Sequence, residues 1–542
     1  MKNIITYKFK FITVLVVLFV SCEKLDLAPE NSFTDLNYWR NVNDAQTMLN
    51  TAYSQMLTSG RFFYNEGASD NAYNGRGDNE GVASLAAGTY DASLGRFKSE
   101  WNDRYAGIKS CNLLLENIDR VPDLDETLKN RMKAEARFIR AFQHFQLATW
   151  FGDVPLISSD ISIEEAQTIS RTPHADVITF VLDELQVASL SLPDNTQYVA
   201  GERGKITKGA AIALKARVQL YESNWDEVVT ECEKLIGTTS NGNYALFPSY
   251  EGLFLPENEY NNEDILSLQY VPEQRTWGEF FDIAPLSAGA RLNALAPTQE
   301  LVDSYLMMNG KTINESGSGY DEDNPYVNRD PRLTNTVVYH GYQWKESGGG
   351  THTIYIEPGS SPGNATDEFV SGSSATSTGY YTRKYFDPTH GAGLASGLNL
   401  MLIRYADVLL MYAEAKNELG QLDVNIWNQT IKPLRERAGF TDAMALNFNA
   451  LWNQSDLREL VRNERRIELA MEGLRIFDIR RWKTAETVLN GWAHGFKTDQ
   501  SNDDNGYIRV NQRTFDPDKH YLWPIPRDER LINSNLTQNP NW

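Results

Sequence analysis

Residues Leu402–Ala415 read LIRYADVLLMYAEA and carry the helical pattern on which the fold class rests. Apolar and small side chains recur there at spacings of four and three, namely at Leu402, Ala406, Leu409 and Ala413. Positions with this spacing lie on one face of a helix. We therefore predict a helix over residues 401–419 that Gly420 ends, and a second helix that returns over residues 425–437.

The same periodicity predicts helices on both sides of a central region. They span about residues 40–58, 99–118, 124–150, a segment that opens at Thr172-Pro173, 206–221, 225–236 and 456–472. Helix pairs of about 34 residues are the tetratricopeptide unit, which stacks because one pair cannot bury its own apolar face. We predict a mainly α fold with four such pairs, in two blocks at about 40–237 and 400–542.

The central region, about residues 240–398, is rich in Gly, Ser, Asn, Pro and aromatic residues. Short strands are predicted at Ile265–Tyr270, Thr334–Tyr339, His352–Ile356 and Tyr380–Phe386. Residues 60–95 form a similar Gly- and Asn-rich loop. Long structured loops on a helical scaffold commonly carry function, so we predict that this irregular half binds the ligand. No linker is evident, and residues 22–542 are predicted to form one domain.

The net charge of −21 argues against a nucleic-acid partner, because an acidic surface repels phosphate groups. The sequence contains no P-loop, dinucleotide fingerprint or nucleophile elbow, and its seven histidines lack metal-ligand spacing. We therefore predict no cofactor and no metal. Cys111 and Cys232 lie among apolar residues of predicted helices, which favours buried free thiols over a disulfide.

The N-terminal segment has the composition of a secretory signal. Lys2, Lys8 and Lys10 precede the apolar run Phe11–Val20, which is too short to span a bilayer. Residues 1–21 are predicted to be a lipoprotein signal peptide, and Cys22 the residue that carries the lipid anchor. The alternative is a simple cleaved signal with an incidental cysteine.

Two loops combine the aromatic and polar residues that a sugar site needs. Flat aromatic rings cover the apolar C–H face of a sugar, while Asp, Asn and Arg side chains hydrogen-bond its hydroxyl edge. The first loop, Tyr64–Asn79, carries Asp70 and Arg76 and leads to Trp101; the second, Arg275–Phe281, carries Trp277 and is joined by Trp344. These five side chains are the candidate ligand-binding residues.

The acidic residues Glu464, Glu468 and Glu472 recur at intervals of four, which places them on one helix face. Two of them as a glycosidase acid and base would make an enzyme, but nearby arginines favour a structural ion-pair network. Residues 329–332 are likewise predicted to be structural. The acidic run 321–324 lacks the spacing of a helix–loop–helix calcium site, which favours a solvated loop.

Five motifs follow one another in order behind the Cys22 signal. They are NRDPRL at Asn328–Leu333, the opening stretch Leu402–Ala415, NERRIELAMEGLR at Asn463–Arg475, YLWPIP at Tyr521–Pro526 and QNPNW at Gln538–Trp542. Together they resemble the SusD/RagB family of Bacteroidetes outer-membrane lipoproteins. The resemblance covers the chain from Cys22 to Trp542.

This resemblance implies a helical scaffold of four tetratricopeptide-like units and an irregular ligand-binding half. It also implies an outer-membrane, externally facing lipoprotein that binds oligosaccharides and delivers them to a SusC-like TonB-dependent transporter, without catalysis. Family sugar contacts match Asp70, Arg76 and Trp101 by position and type, and Trp277 and Trp344 by region. Uptake of peptides and, less favoured, a helical glycoside hydrolase are the alternatives.

Overall fold

The computed structural model describes residues 38–542 except 347–348, 364, 391–394 and 500, and it describes no side chain for Phe280. The predicted signal peptide 1–21 and Cys22 lie outside the described residues. Over the described part of the chain, no helix has both the length and the apolarity needed to cross a membrane.

Helices dominate residues 38–240. In chain order they are α1 Val42–Ser54, α2 Ser59–Tyr64, α3 Val82–Ala87, α4 Gly95–Asn117, α5 Glu126–Phe151, α6 Ile163–Ala166, α7 His174–Ser191, α8 Lys208–Tyr221 and α9 Trp225–Glu233. Side-chain caps fix where several begin: Asp125 accepts the Leu128 N–H of α5, and Thr207 accepts the Ala210 N–H of α8.

Of the later helices, the first two lie in the central region and the others form the second block. They are α10 Gln299–Ser304, α11 Pro331–Thr336, α12 Tyr405–Glu418, α13 Val424–Gln429, α14 Ile431–Ala438, α15 Ala443–Leu446, α16 Gln454–Glu468, α17 Arg475–Arg481, α18 Ala485–Val488 and α19 Arg527–Ile532. These assignments confirm the mainly α prediction.

The strands form two-stranded antiparallel sheets. They are β1 Ala72–Asn74 with β3 Leu295–Pro297, β2 Asp264–Leu268 with β8 Leu400–Arg404, β4 Val337–Val338 with β7 Tyr381–Thr382, β5 Tyr342–Lys345 with β6 Thr351–Ile354, and β9 Gly491–Lys497 with β10 Tyr507–Arg513. The β1–β3 pair ties the loop Tyr64–Asn79 to the central region. This loop and the central region both contribute residues to the candidate site.

The helices pack mainly against their neighbours in the chain. Helix α5 packs between α4 and α7, α8 packs between α7 and α9, and α9 contacts α12 and so joins the two blocks. A repeat of helix pairs needs this kind of stacking. The tetratricopeptide geometry of the individual pairs stays a prediction.

The start of the second block differs from the sequence prediction. Residues 401–404 were predicted as helix, but Leu400–Arg404 is a strand whose five residues are all buried, and the helix begins at Tyr405. A short continuous apolar run suits a fully buried strand as well as a helix, and periodicity does not separate the two. Pairing with Asp264–Leu268, far away in the sequence, selects the strand.

The predicted ion-pair network is confirmed and lies at the centre of the molecule. Glu464 meets Arg332 and Arg435, at 2.7 and 2.9 Å. Glu468 meets Arg332 at 2.9 Å and Arg404 at 2.6 Å. The prediction that Glu472 shares their helix was wrong, because α16 ends at Glu468. Burial of these charges is tolerated because each has opposite charges within hydrogen-bond distance.

The chain end docks on the first block. Trp523 stacks on Trp150 with ring centroids 3.8 Å apart and planes inclined by 10°, and its backbone N–H donates to the Trp150 carbonyl at 2.8 Å. Cys111 and Cys232 are buried and free, as the sequence predicted.

Candidate functional site

A cleft of about 450 Å³ opens where the first loop meets the central region. We call it the first cleft. Its lining residues come from α2 and the loop that follows, and from the segment 278–291: Gly60, Tyr64, Asn79, Glu80, Gly278, Glu279, Phe281, Asp282 and Arg291. The first of these segments contains the loop Tyr64–Asn79, and the second overlaps the loop Arg275–Phe281. The fold therefore brings together the two loops that the sequence singled out.

The wall formed by the first loop is held from behind by the segment that follows α16. The Gly473 N–H donates to Glu66 at 2.8 Å, and Arg475 binds both carboxylate oxygens of Asp70 at 2.8 and 2.9 Å. Gly473 has φ of +74°, and a Cβ there would lie 2.3 Å from the Phe62 carbonyl oxygen. Only glycine fits this approach, so the loop is clamped to the charged centre of the molecule.

The opposite wall is held by Trp277. Its ring packs against Phe63 of α2 with centroids 5.0 Å apart, and its Nε1–H donates to the Leu398 carbonyl at 2.7 Å. Its backbone also pairs with Ser396 in an isolated antiparallel bridge. Trp277 immediately precedes the lining residue Gly278, so the buried indole positions the segment that forms this wall.

A chain of hydrogen bonds crosses the floor of the cleft. Asn79 donates to the Tyr64 hydroxyl, which donates to Asp282 at 3.3 Å. Arg291 binds the two oxygens of the same carboxylate at 2.9 and 3.2 Å. Burial, and then the Asp282 charge, raise the pKa of Tyr64, so its hydroxyl stays protonated and donates. The Arg291 side chain remains 62% exposed, which leaves donors available to a ligand.

Two further carboxylates border the cleft close to Gly60. A Cβ at Gly60 would lie 3.0 Å from the Glu80 Oε1 and 3.5 Å from the Glu279 Oε1, so glycine leaves room for both. Glu80 pairs with Arg96 at 3.3 Å. Ser59 donates to Glu279 at 3.0 Å, and burial raises the pKa of the Glu279 carboxyl.

The first cleft therefore presents carboxylate acceptors and one partly exposed guanidinium donor in a hollow of modest size. Such an arrangement suits a ligand with many hydroxyl groups, and its excess of acids disfavours an anion. Across the described residues, no group of three or more His, Cys, Asp or Glu side chains is placed to hold a metal ion.

Of the predicted ligand-binding residues, Asp70 and Arg76 make internal contacts. Asp70 is buried and paired with Arg475 and with Arg466, the latter at 3.0 Å, and these arginines lower its carboxyl pKa against the effect of burial. The Arg76 guanidinium donates to the carbonyls of Ser373 and Ala375, the latter at 3.3 Å. Both side chains brace the first loop instead of lining the first cleft.

The three predicted tryptophans are buried, which differs from the exposed stacking faces that the sequence suggested. Trp101, Trp277 and Trp344 are only 5%, 4% and 2% exposed. Trp101 packs on Phe151 of α5, 5.3 Å away, and Trp344 packs on Phe386 at 4.8 Å. Burying a large aromatic ring against another ring lowers the free energy of the folded state, which favours packing in the core over exposure at the surface. The ligand contacts assigned to these residues stay predictions.

Sequence reasoning missed four residues of the cleft: Glu80, Glu279, Asp282 and Arg291. Asp282 and Arg291 lie nine residues apart in a segment otherwise rich in apolar side chains, and this isolated pair of opposite charges was the available signal. Their bidentate contact could not be read from spacing, because only a three-residue 3-10 helix, Leu286–Ala288, lies between them and the rest is irregular.

Comparison with known proteins places this fold in one class. The chain is 31% identical to a solved SusD-like carbohydrate-binding protein from Bacteroides fragilis, with a TM-score of 0.82, over 92% of this chain and 100% of that one. It is 27% identical to SusD-like protein P2 of Formosa agariphila over 98% of this chain and 99% of the relative. It is also 25% identical to the starch-binding protein SusD of Bacteroides thetaiotaomicron, over 34% of this chain and 32% of that protein.

Family models agree with these relatives. Residues 267–542 match the model of the SusD family, and residues 24–220 match a model described as starch-binding associating with outer membrane. The chain belongs to the SusD family. The resemblance inferred from the five motifs is thereby confirmed.

Proposed function

We propose that this protein is a lipid-anchored, surface-exposed lipoprotein that captures neutral oligosaccharides and delivers them to a SusC-like TonB-dependent transporter. The observation that carries the binding step is the polar first cleft, where Asp282 and Arg291 face a hollow between two braced loops. Membership of the SusD family supports both the ligand class and the outer-membrane location.

Binding without catalysis is supported by the environment of the carboxylates. The sequence offered two of the carboxylates Glu464, Glu468 and Glu472 as an enzymatic pair. Each of the three forms ion pairs with buried arginines or a lysine. A glycosidase needs one carboxyl free to donate a proton and another free to attack or activate water. Release of reducing ends from polysaccharides incubated with the purified protein would contradict this part of the proposal.

The binding step is tested by calorimetric titration with maltoheptaose, chosen because a relative is named for starch, and with laminarihexaose, a neutral glucan of different linkage. Arg291→Ala removes an exposed charged donor and leaves Asp282 without its partner. We expect affinity to fall at least about tenfold, since a hydrogen bond to a charged group contributes roughly 1.5–3 kcal/mol.

Arg458→Ala is the matched control. Arg458 makes a comparable bidentate pair with Glu418, at 2.7 Å for both contacts, on the helical scaffold. Its loss should leave affinity unchanged. Equal changes in affinity for Arg291→Ala and Arg458→Ala would show that the first cleft is not the binding site.

Delivery to a transporter is tested by affinity capture of the protein from detergent-solubilised outer membranes. A TonB-dependent barrel should copurify with it. Binding of peptides together with no retention on any glycan matrix would instead favour the peptide-uptake alternative.

A further inference from the structure

A second and larger cleft, of about 770 Å³, lies at the end of the β9–β10 hairpin. We call it the second cleft. It shares no lining residue with the first cleft, and its walls are aromatic while its rim is polar: Gln299, Tyr320, Glu322, Asp323, Asn324, Pro325, Tyr326, Val327, Tyr339, His340, Glu357, Pro358, Tyr380, Phe496, Lys497, Thr498, Asp499 and Tyr507.

One wall is a rigid pair of stacked rings. Tyr326 and Tyr339 lie with centroids 4.0 Å apart and planes inclined by 15°, and both rings remain partly exposed. The Tyr326 hydroxyl donates to the Tyr380 hydroxyl at 3.4 Å, and Tyr380 in turn donates to Gln299 at 2.5 Å. The buried Tyr380 thus fixes the stacked pair from the floor of the cleft.

The remaining tyrosines are held by charges from neighbouring segments. The Arg329 guanidinium lies 5.5 Å from the Tyr320 ring centroid, and burial raises the pKa of Tyr320 to about 12, so it stays neutral. Lys497 of β9 pairs with Glu322 at 2.8 Å and lies 6.0 Å from the Tyr507 ring centroid. This pairing ties the hairpin to the acidic loop 321–324.

The rim supplies hydroxyl-binding groups with defined roles. The His340 Nδ1 accepts the backbone N–H groups of Ile356 and Glu357, both at 3.1 Å, so the proton of the neutral ring lies on Nε2. Asp323 and Asp499 are exposed, and an ionised carboxylate offers acceptors for hydroxyl groups. The rim therefore offers one neutral donor and several acceptors beside the aromatic walls.

We propose that the second cleft is a separate binding site for a neutral oligosaccharide, which Tyr326, Tyr339 and Tyr507 contact through their ring faces. The ligand class rests on the proposed function, whereas the location rests on this cleft alone. Two separated sites on one chain would hold a long glycan at two points and raise its overall affinity through effective concentration.

The chemistry of the cleft selects this ligand over others. Tyrosine rings cover the C–H faces of sugars, and the hydroxyl edges find carboxylates and the His340 donor. The lone lysine of the rim is already paired with Glu322, so Asp323, Glu357 and Asp499 give a negative potential that repels uronic or sulfated chains. The volume lies in the range of sites that enclose ligands larger than one ring.

Hydroxyl-radical footprinting of the whole protein, read by mass spectrometry, reports the two clefts separately. With saturating maltoheptaose or laminarihexaose, we expect at least about twofold protection of Tyr326, Tyr339 and Tyr507. This protection should persist in Arg291→Ala, where the first cleft is impaired, and be absent with polygalacturonate oligosaccharides.

Tyr339→Ala removes one ring of the stacked pair, and Tyr339→Phe keeps the ring as the matched control. Protection of Tyr507 should be lost in the first variant and retained in the second. Asp499→Ala leaves the aromatic walls intact and should raise about threefold the maltoheptaose concentration that gives half-maximal protection of Tyr507, which covers the case in which Tyr339→Ala does not fold.

The outcomes separate the two proposals. Protection confined to residues of the first cleft overturns the second site and leaves the proposed function in place. Protection confined to the second cleft supports this inference and overturns the role given to the first cleft. No protection at either cleft by either neutral glycan overturns both.

Discussion

Glu468 shows how single charged residues hold this protein together. Its carboxylate meets Arg332, Arg404 and Arg437, and none of the four side chains is more than 4% exposed. These cations lower the pKa of Glu468 although burial alone would raise it. The carboxylate therefore remains ionised at neutral pH.

Glu468→Gln should destabilise the protein strongly, because an isosteric neutral group removes one counter-charge from each of three buried guanidinium groups. Removal of one partner of a buried pair costs roughly 3–5 kcal/mol. Urea denaturation followed by circular dichroism measures the change. The half-buried pair Arg458–Glu418 is the control, since its loss through Arg458→Ala should cost much less, about 1 kcal/mol. Similar costs for both would contradict the structural role of Glu468.

The same residue predicts how the protein responds to acid. A carboxyl whose folded pKa is depressed contributes stability that is present above its unfolded pKa and is lost as the pH falls through the folded value. Since Asp407 and Asp70 share the depression through their arginine partners, acidification removes several contributions together. This cooperative loss is a consequence of a centre built from ion pairs.

The β9–β10 hairpin is an element held by a charged histidine. His494 contacts Glu300 of α10 through Nδ1 at 2.7 Å and Asp504 through Nε2 at 2.8 Å. Hydrogen bonds to Glu300 and Asp504 and their charges raise the pKa of His494 to about 9, while partial burial opposes them. Arg509 also pairs with Asp504, at 2.7 Å, so the turn is closed by two cations.

His494→Asn should remove a pH-dependent part of the stability. A group whose folded pKa is raised contributes fully below its unfolded pKa, about 6.5, and loses that contribution as the pH rises through about 9. The difference in unfolding free energy between wild type and variant should therefore shrink from pH 6 to pH 10, which denaturation series at each pH would measure. A constant difference would show that His494 stays neutral.

For the whole molecule, the lipid on Cys22 is the predicted link to the membrane, since the acidic body repels anionic lipid. Cys22→Ala should release the protein from the outer-membrane fraction and leave glycan affinity unchanged, because the clefts are built from residues far along the chain. Fractionation with immunodetection and titration with maltoheptaose check the two parts. Unaltered membrane retention in the variant would contradict the anchor.

Much of the fold could be predicted from local pattern. The helices over residues 42–54, 95–117 and 126–151 follow from periodicity, and their ends lie within a few residues of the predicted ends. The ion-pair role of Glu464 and Glu468 was also predictable, because like charges on one helix face require cations. The strand Leu400–Arg404 was not, because its partner lies more than 130 residues earlier in the chain.

Sequence alone therefore determined the acidic charge, the helical scaffold and the family, and it predicts the signal and anchor, since each depends on residues close together or on ordered motifs. Only the tertiary structure showed which side chains line the clefts and which are buried. Trp277 is buried and supports a wall of the first cleft, and its predicted ligand contact stays a prediction, whereas Tyr64 and Asp282, 218 residues apart, meet in the cleft. Whether a loop side chain is buried or meets solvent depends on packing between segments that are distant in the sequence. Spacing along an irregular loop does not predict that packing.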